Sequence, residues 1–188
     1  MNLFIDSISS PSYICIFDNN RNIIWDISID VKWNESSKII PELSLFLENN
    51  NISHNDIENT VIVHGPGSFT WVRTTVLIAN TLNYVIKKHM TTLSYFDLFE
   101  NYPIIKSSSR RDHFVKLNIS SNIEIIENEL LEKQLIDDKI KVVYWESWFE
   151  FQNIEILEKI DYNHIIKELE LKKDTKIEPL YIKKPNIS

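Results

Sequence analysis

The sequence predicts an α/β protein in two lobes, the first complete and the second reduced, and three observations lead there. Three β-branched and aromatic runs open the chain before any helical spacing appears. One turn, "HGPGS" at positions 64–68, holds both glycines of the chain and joins an apolar strand to the longest helical stretch. Beyond Tyr102 the alternation of strand and helix restarts in more polar form. The length suffices for this: 188 residues with 43% hydrophobic and 11% aromatic side chains can bury a core.

In chain order, "NLFIDSI" and "SYICIFDN" read as a hairpin around Ser9, Ser10 and Pro11, and "RNIIWDISID" as a third strand after a turn at Asn19 and Asn20. "ESSKIIPELSLFLENN" places Ile39, Ile40, Leu43, Phe46 and Leu47 at helical spacing, with Pro41 expected in the first turn or at a kink. Ser53 and Asp56 form a near capping box for one short helical turn. "TVIVH" is continuously apolar and therefore central in its sheet, and a long helix follows from Phe69 to about His89. Strand, strand, strand, helix, strand, helix is the first-lobe order of the ribonuclease-H-like, or actin-like ATPase, fold. The second half offers "YPIIKS", "DHFVKLNI", "NIEIIE" and "KIKVVYW" as strands, "ELLEKQL" as a short helix and Tyr162 to Lys172 as another. The expected division is 1–95 for the first lobe and 96–188 for the shortened second, joined between Leu93 and Tyr102, with the C-terminal segment returning to the core.

The totals narrow the function. A net charge of −7 and a pI near 5.3 are poorly suited to holding a polyanion, whose affinity comes from Lys and Arg on phosphates. Arg110, Arg111, Lys183 and Lys184 are adjacent cations that read as solvated charge, with a local tRNA or acidic-partner contact as the alternative. Cys15, the only cysteine, sits in "YICIF" and reads as a small core residue. No stretch approaches the about 18 apolar residues of a membrane span, and the opening residues lack a signal pattern, so a reducing cytoplasm is the expected location.

The glycine turn must reverse a strand sharply into a helix. Gly65 and Gly67 supply conformational freedom and close approach, Pro66 stiffens the turn between them, and Ser68 is placed to cap the helix. Free amides there also suit an anion. The pattern is neither GxGxxG nor GxxxxGK[ST], which favours a rigid capped turn over a phosphate site. Ala79 is the only alanine in a chain that otherwise avoids small residues, which marks it for close packing.

"GPGSFTWVR" resembles the GPGSFTGLR signature of the TsaB (YeaZ) family, matching at Gly65, Pro66, Gly67, Ser68, Phe69 and Thr70 and again at Arg73. "LFIDSI" is similar to the family's LxIDTS, "KIIPEL" to its LLPxI with Pro41 retained, and "EPLYIKKP" to its closing PxYLRxP. Trp71 and Thr75 stand where the family pattern has glycines, and "SSSRRDHFV" replaces its DARRGEVY, keeping the two arginines. The resemblance implies an actin-like fold and a catalytically degenerate subunit of the bacterial complex that makes threonylcarbamoyladenosine in tRNA. It implies docking on a TsaD-like ligase, a TsaE-like ATPase in the same complex, and homodimerisation as the alternative assembly. By the same resemblance no cofactor binds this chain, ATP and magnesium belong to the partner ligase, and any tRNA contact is indirect or weak.

The residues themselves weigh against chemistry. A phosphate-wrapping hairpin needs glycines, yet "DSISSP" has none, and none follows Gly67. Asp6 is a candidate magnesium contact, but a lone strand-end carboxylate more commonly forms a turn. His54, His64, His89, His113 and His164 show no metal spacing, Ser68 lacks a GxSxG elbow, and Glu127, Glu129 and Glu132 read as a solvated face. The long helix offers contact instead. Val72, Val76 and Ala79, continuing to Ile86, make one apolar stripe; Trp71, Ile78, Leu82 and Val85 make a second. One stripe packs on the sheet. We expect the other to meet a partner, with Val72, Val76 and Ala79 facing outward beside Ile39, Leu43 and Phe46 of the preceding helix. The rival readings are an ATP-dependent phosphotransferase of the same fold and a freestanding homodimeric binding protein.

Overall fold

The computed structural model describes residues 1–30, 35–137, 144–146, 160–174 and 176–182, without the side chains of 35, 36, 70, 71, 86, 136, 137 and 144–146. Expectations for Lys183, Lys184, the side chains of Thr70, Trp71 and Ile86, and the first part of "KIKVVYW" lie outside the described residues.

The first sheet has five strands: β1 (Asn2–Asp6), β2 (Ser12–Phe17), β3 (Ile23–Ile29), β4 (Asn59–Val63) and β5 (His89–Leu93). Their order is β3-β2-β1-β4-β5; β1 runs antiparallel to β2 and parallel to β4, and β5 runs parallel to β4. The apolar runs alternate between two covered faces, which is why β1 and β2 are buried at every position. Leu3, Ile5, Ile14, Ile16 and Ile62 meet helices α1 (Glu35–Asn49) and α2 (Phe69–Ile86). Phe4, Cys15, Phe17, Val61 and Val63 meet Tyr95, Phe96, Ile104, Phe114 and Ile166 on the other face.

The second sheet is β6 (Ile104–Ser107), β7 (Asp112–Lys116), β8 (Glu124–Glu127) and β9 (Tyr144–Glu146), in the order β8-β7-β6-β9. Alternation again divides its residues: Ile104 and Phe114 join the first sheet's cluster, while Ile105, Val115 and Ile126 pack under α3 (Asn128–Asp137) through Leu131 and Leu135. Helix α4 (Tyr162–Glu168) closes over the first sheet with Ile166, its N-terminus capped by Asp161, which accepts the His164 N–H at 3.1 Å. The Ser53–Asp56 box forms as expected, the Asp56 carboxylate accepting the Ser53 N–H at 2.8 Å.

Three sequence expectations, on α1, α2 and α4, are corrected. Pro41 lies inside α1, past its first turn, with its ring exposed. Helix α2 stops at Ile86, because Lys87 adopts a positive φ of 54°, and "HMTTL" becomes β5. Helix α4 stops at Glu168, where Leu169 turns extended and enters the core. Between Leu93 and Tyr102, where the joint between lobes is expected, lies a short 3-10 turn, Tyr95–Leu98, buried at Tyr95, Phe96 and Leu98. Among the described residues, no helix is long and apolar enough to cross a membrane.

Candidate functional site

The end of β1 carries the carboxylate that sequence reasoning weighed for magnesium. Asp6 is fully buried and accepts four hydrogen bonds: from the Ile8 N–H at 2.9 Å, the Ser9 N–H at 3.0 Å, the Ser9 hydroxyl at 2.6 Å and the Tyr162 hydroxyl at 2.9 Å. Tyr162 in turn stacks on Tyr13, ring centroids 3.9 Å apart, so α4 is seated on the hairpin. Lys106 reaches across from β6, donating to the Ile8 carbonyl at 3.1 Å with its ammonium 4.0 Å from the Tyr95 ring centre. A magnesium ion would have to displace these donors from a carboxylate with no exposed surface. The hairpin residues do not fit a nucleotide's metal, and Asp6 is a turn former.

Burial holds the Asp6 carboxyl above the usual carboxylate range, against the donors from Ser9, Tyr162 and Ile8. The native state therefore keeps this proton where the unfolded chain has released it. The stability this group contributes is full below the unfolded carboxylate range and declines as pH rises toward the folded value. Asp6→Asn can keep the amide acceptors on its oxygen and donate to both hydroxyls. We expect it to fold, and to gain stability relative to the wild type as pH rises from about 4 to about 8. Urea titrations across that range check this; a difference that does not change with pH, or changes in the opposite sense, contradicts it.

The glycine turn is clamped from two sides. Gly65 has φ +126°, and a side chain there would put its Cβ 2.9 Å from the Leu180 carbonyl oxygen. Gly67 has no such φ; its Cβ would meet Ile8 at 3.3 Å, so it admits the β1–β2 hairpin. Pro66 is buried, and the Gly65 carbonyl accepts the Tyr95 N–H at 2.7 Å. The returning C-terminal segment completes the clamp. The Leu180 N–H donates to the His64 carbonyl at 3.2 Å, His64 Nδ1 lies 2.9 Å from the Glu178 carbonyl, and Ile177 exchanges two hydrogen bonds with the Asn80 amide. Ser68 opens α2 through its carbonyl, which accepts the Val72 N–H at 3.0 Å. Phe69 stacks on Tyr181, and the Arg73 guanidinium lies 5.1 Å from the Phe69 ring centre. His64 thus hydrogen-bonds the returning C-terminal segment, a structural role, though its partner is distant in sequence and not local as expected. Among the family departures, Thr75 is buried and hydrogen-bonds Ser7.

The six positions expected to face a partner are core residues of this chain. Ile39, Leu43, Phe46, Val76 and Ala79 lie between the two helices and the sheet, and Val72 packs beneath the glycine turn. Ile78 of the second stripe is buried too. The outward face is a different one: Leu77 (68% exposed), Tyr84 (83%) and Val85 (67%) on α2, with Ile40 (52%) and Leu45 (50%) on α1. Sequence reasoning had Val85 in its second stripe but missed Leu77 and Tyr84. The available signal was charge: after Arg73 no residue of α2 is charged, although one face must meet water.

Cys15 is buried, and burial pushes its thiol up to about 12. His113 is buried in β7, where desolvation lowers its pKa. Arg110 and Arg111 are exposed on the β6–β7 turn. Among the described residues, no group of three or more His, Cys, Asp or Glu is arranged to hold a metal ion.

A five-stranded sheet of this mixed order, helices on one face and a second sheet on the other, defines an α/β protein consistent with the actin-like fold. Solved structures resemble it: YeaZ from Pseudomonas aeruginosa superposes with a TM-score of 0.58 at 11% identity, over 69% of this chain and 68% of that one. An uncharacterized protein with similarity to peptidase YeaZ, from Pseudomonas aeruginosa, gives 0.57 at 10% identity over the same shares, 69% and 68%. No protein-family profile matches the sequence. No curated protein matches it either.

Proposed function

We propose that this chain is a non-catalytic, TsaB-like subunit that docks on a TsaD-like ligase and holds it in its active form, in the synthesis of threonylcarbamoyladenosine in tRNA. ATP and magnesium belong to the ligase in this reading, a TsaE-like ATPase completes the complex, and tRNA meets this chain weakly or indirectly. The YeaZ-like fold and the signature turn support the family. The observation that carries the role is the face of α2 beyond Arg73, where no residue is charged and Leu77, Tyr84 and Val85 are exposed, with Ile40 and Leu45 exposed on α1. Exposed apolar side chains on a helix face without charge are what a helical partner covers. The sequestered Asp6 supports the non-catalytic half, since the fold's usual metal-facing carboxylate is already saturated with donors.

Leu77→Asp with Val85→Asp tests the reading. Both side chains are exposed in the single chain, so the double variant should fold with near wild-type stability. In a docked interface the two carboxylates would lose hydration unpaired, and we expect binding to a TsaD-like ligase to fall at least about a hundredfold. Co-purification and light scattering read the result. Loss of self-association alone favours a freestanding homodimer, and unchanged assembly moves the partner surface off these helices. Steady-state ATP turnover by the purified chain, abolished by Asp6→Asn, would favour a phosphotransferase instead.

A further inference from the structure

The outer edge of β5 borders a cleft of about 590 Å³ that the helical face does not touch. This volume is within the range that encloses a small ligand or a few residues of peptide. Its floor is apolar, formed by Leu93, Leu98, Phe99, Ile165 and Leu169. Its rim carries five carboxylates, Asp97, Glu100, Asp161, Glu168 and Glu170, against Lys172 and His164. Three of the five have local duties. Asp97 accepts the Ser94 N–H at 2.8 Å, Asp161 accepts the His164 N–H at 3.1 Å, and Glu100 pairs with the His164 ring. Each cap occupies one oxygen and leaves the charge in place, and Glu168 and Glu170 are exposed on the rim.

The strand beside this cleft is an open edge at one residue. His89 donates inward to the Glu58 carbonyl and the Leu93 carbonyl accepts inward from His64, so the main-chain groups of His89, Thr91 and Leu93 point toward β4. Those of Met90 and Thr92 therefore point outward. Met90 is satisfied by Asp174, with which it exchanges both hydrogen bonds at 3.0 and 3.1 Å. Among the described residues, none pairs with Thr92 in this way. The returning segment leaves the ladder at Lys172, whose N–H donates to the Thr91 hydroxyl at 2.8 Å and whose carbonyl accepts from it at 3.4 Å. The outward N–H and C=O of Thr92 are thus presented at the wall of an acidic, apolar-floored cleft.

We propose that this cleft binds an extended basic peptide segment of another protein, paired as a short strand against Thr92, with alternate Lys or Arg side chains entering the acidic cleft. Successive side chains of a strand point to opposite faces, so every second residue enters. The aliphatic stems of Lys and Arg suit the floor of Leu98, Phe99 and Leu169, and their charged heads reach the rim carboxylates. Strand addition of this kind takes affinity from the main chain and selectivity from alternate side chains. A small polyamine would satisfy the charge but has no amide to meet Thr92.

The probe is a fluorescein-labelled, acetylated peptide of alternating Lys and Thr, titrated with the full chain by fluorescence anisotropy. Saturable binding is expected, weakening with added salt. Two further peptides of the same charge carry N-methyl groups on either the Lys or the Thr amides. One of the two should bind at least about tenfold more weakly, because only one set of amides faces β5. Glu168→Gln with Glu170→Gln should weaken the parent peptide by a similar factor, with the fold followed by circular dichroism. No saturable binding, equal binding of both methylated peptides and the parent, or displacement by spermidine at matched charge concentration would each overturn the proposal.

Discussion

Val76→Asp is expected to unfold the chain rather than to separate assembly from folding. Val76 is 6% exposed and packs in the cluster of Ile39, Leu43, Phe46 and Ala79 between the helices and the sheet. The substitution forfeits the burial of a valine, about 1.5 kcal/mol or more. It also places a carboxylate in apolar surroundings with no cation in that cluster, which costs several kcal/mol in addition. A total of about 4 kcal/mol or more is comparable with the whole stability of an ordinary domain. The partner variant is one residue away: Leu77→Asp points out from the same helix and should shift the urea midpoint little. Circular dichroism and urea titration of the two single variants give the comparison. If Val76→Asp folds as stably as the wild type while Leu77→Asp does not, the two faces of α2 are reversed.

That comparison marks where the sequence was legible and where it was not. The three opening strands, α1, β4 and the start of α2 follow from apolar runs and from one turn that only glycine serves, so they could be read without coordinates. The orientation of α2 could not, because Val72, Val76, Leu77, Ile78, Leu82 and Val85 spread apolar side chains around most of its circumference. Periodicity distinguishes a polar face from an apolar one, and here both faces are apolar. Strand β5 was missed for a related reason. "HMTTL" has little hydrophobic alternation, and its strand character comes from pairing with β4 and from the Met90–Asp174 bridge. The role of Asp6 depends on Tyr162, and that of the hairpin on Lys106; such distant partners leave no local pattern. The same holds for the cleft beside β5, whose walls come from two widely separated segments.

Gly65→Val should cost far more than Gly67→Ala, although the two glycines look equivalent in the sequence. At φ +126° a β-branched side chain is strained whatever the surrounding space. The Cβ would also stand 2.9 Å from a backbone oxygen, that of Leu180, which is tied in place by its own N–H bond to the His64 carbonyl. Strain of this kind costs about 1–3 kcal/mol and overpacking adds about as much. The C-terminal segment must then move away from the turn, giving up the Leu180 and Glu178 contacts with His64. At Gly67 an alanine Cβ would meet only the Ile8 and Val72 side chains, at 3.3 to 3.5 Å and at an ordinary φ, which side-chain adjustment absorbs for about 1 kcal/mol. The expected order of stability is wild type, then Gly67→Ala, then Gly65→Ala, then Gly65→Val. Urea midpoints measure the order, and limited proteolysis should cut the C-terminal segment first in the Gly65 variants. Equal losses at Gly65 and Gly67 would mean that the turn, not its contact with Leu180, sets the requirement for glycine.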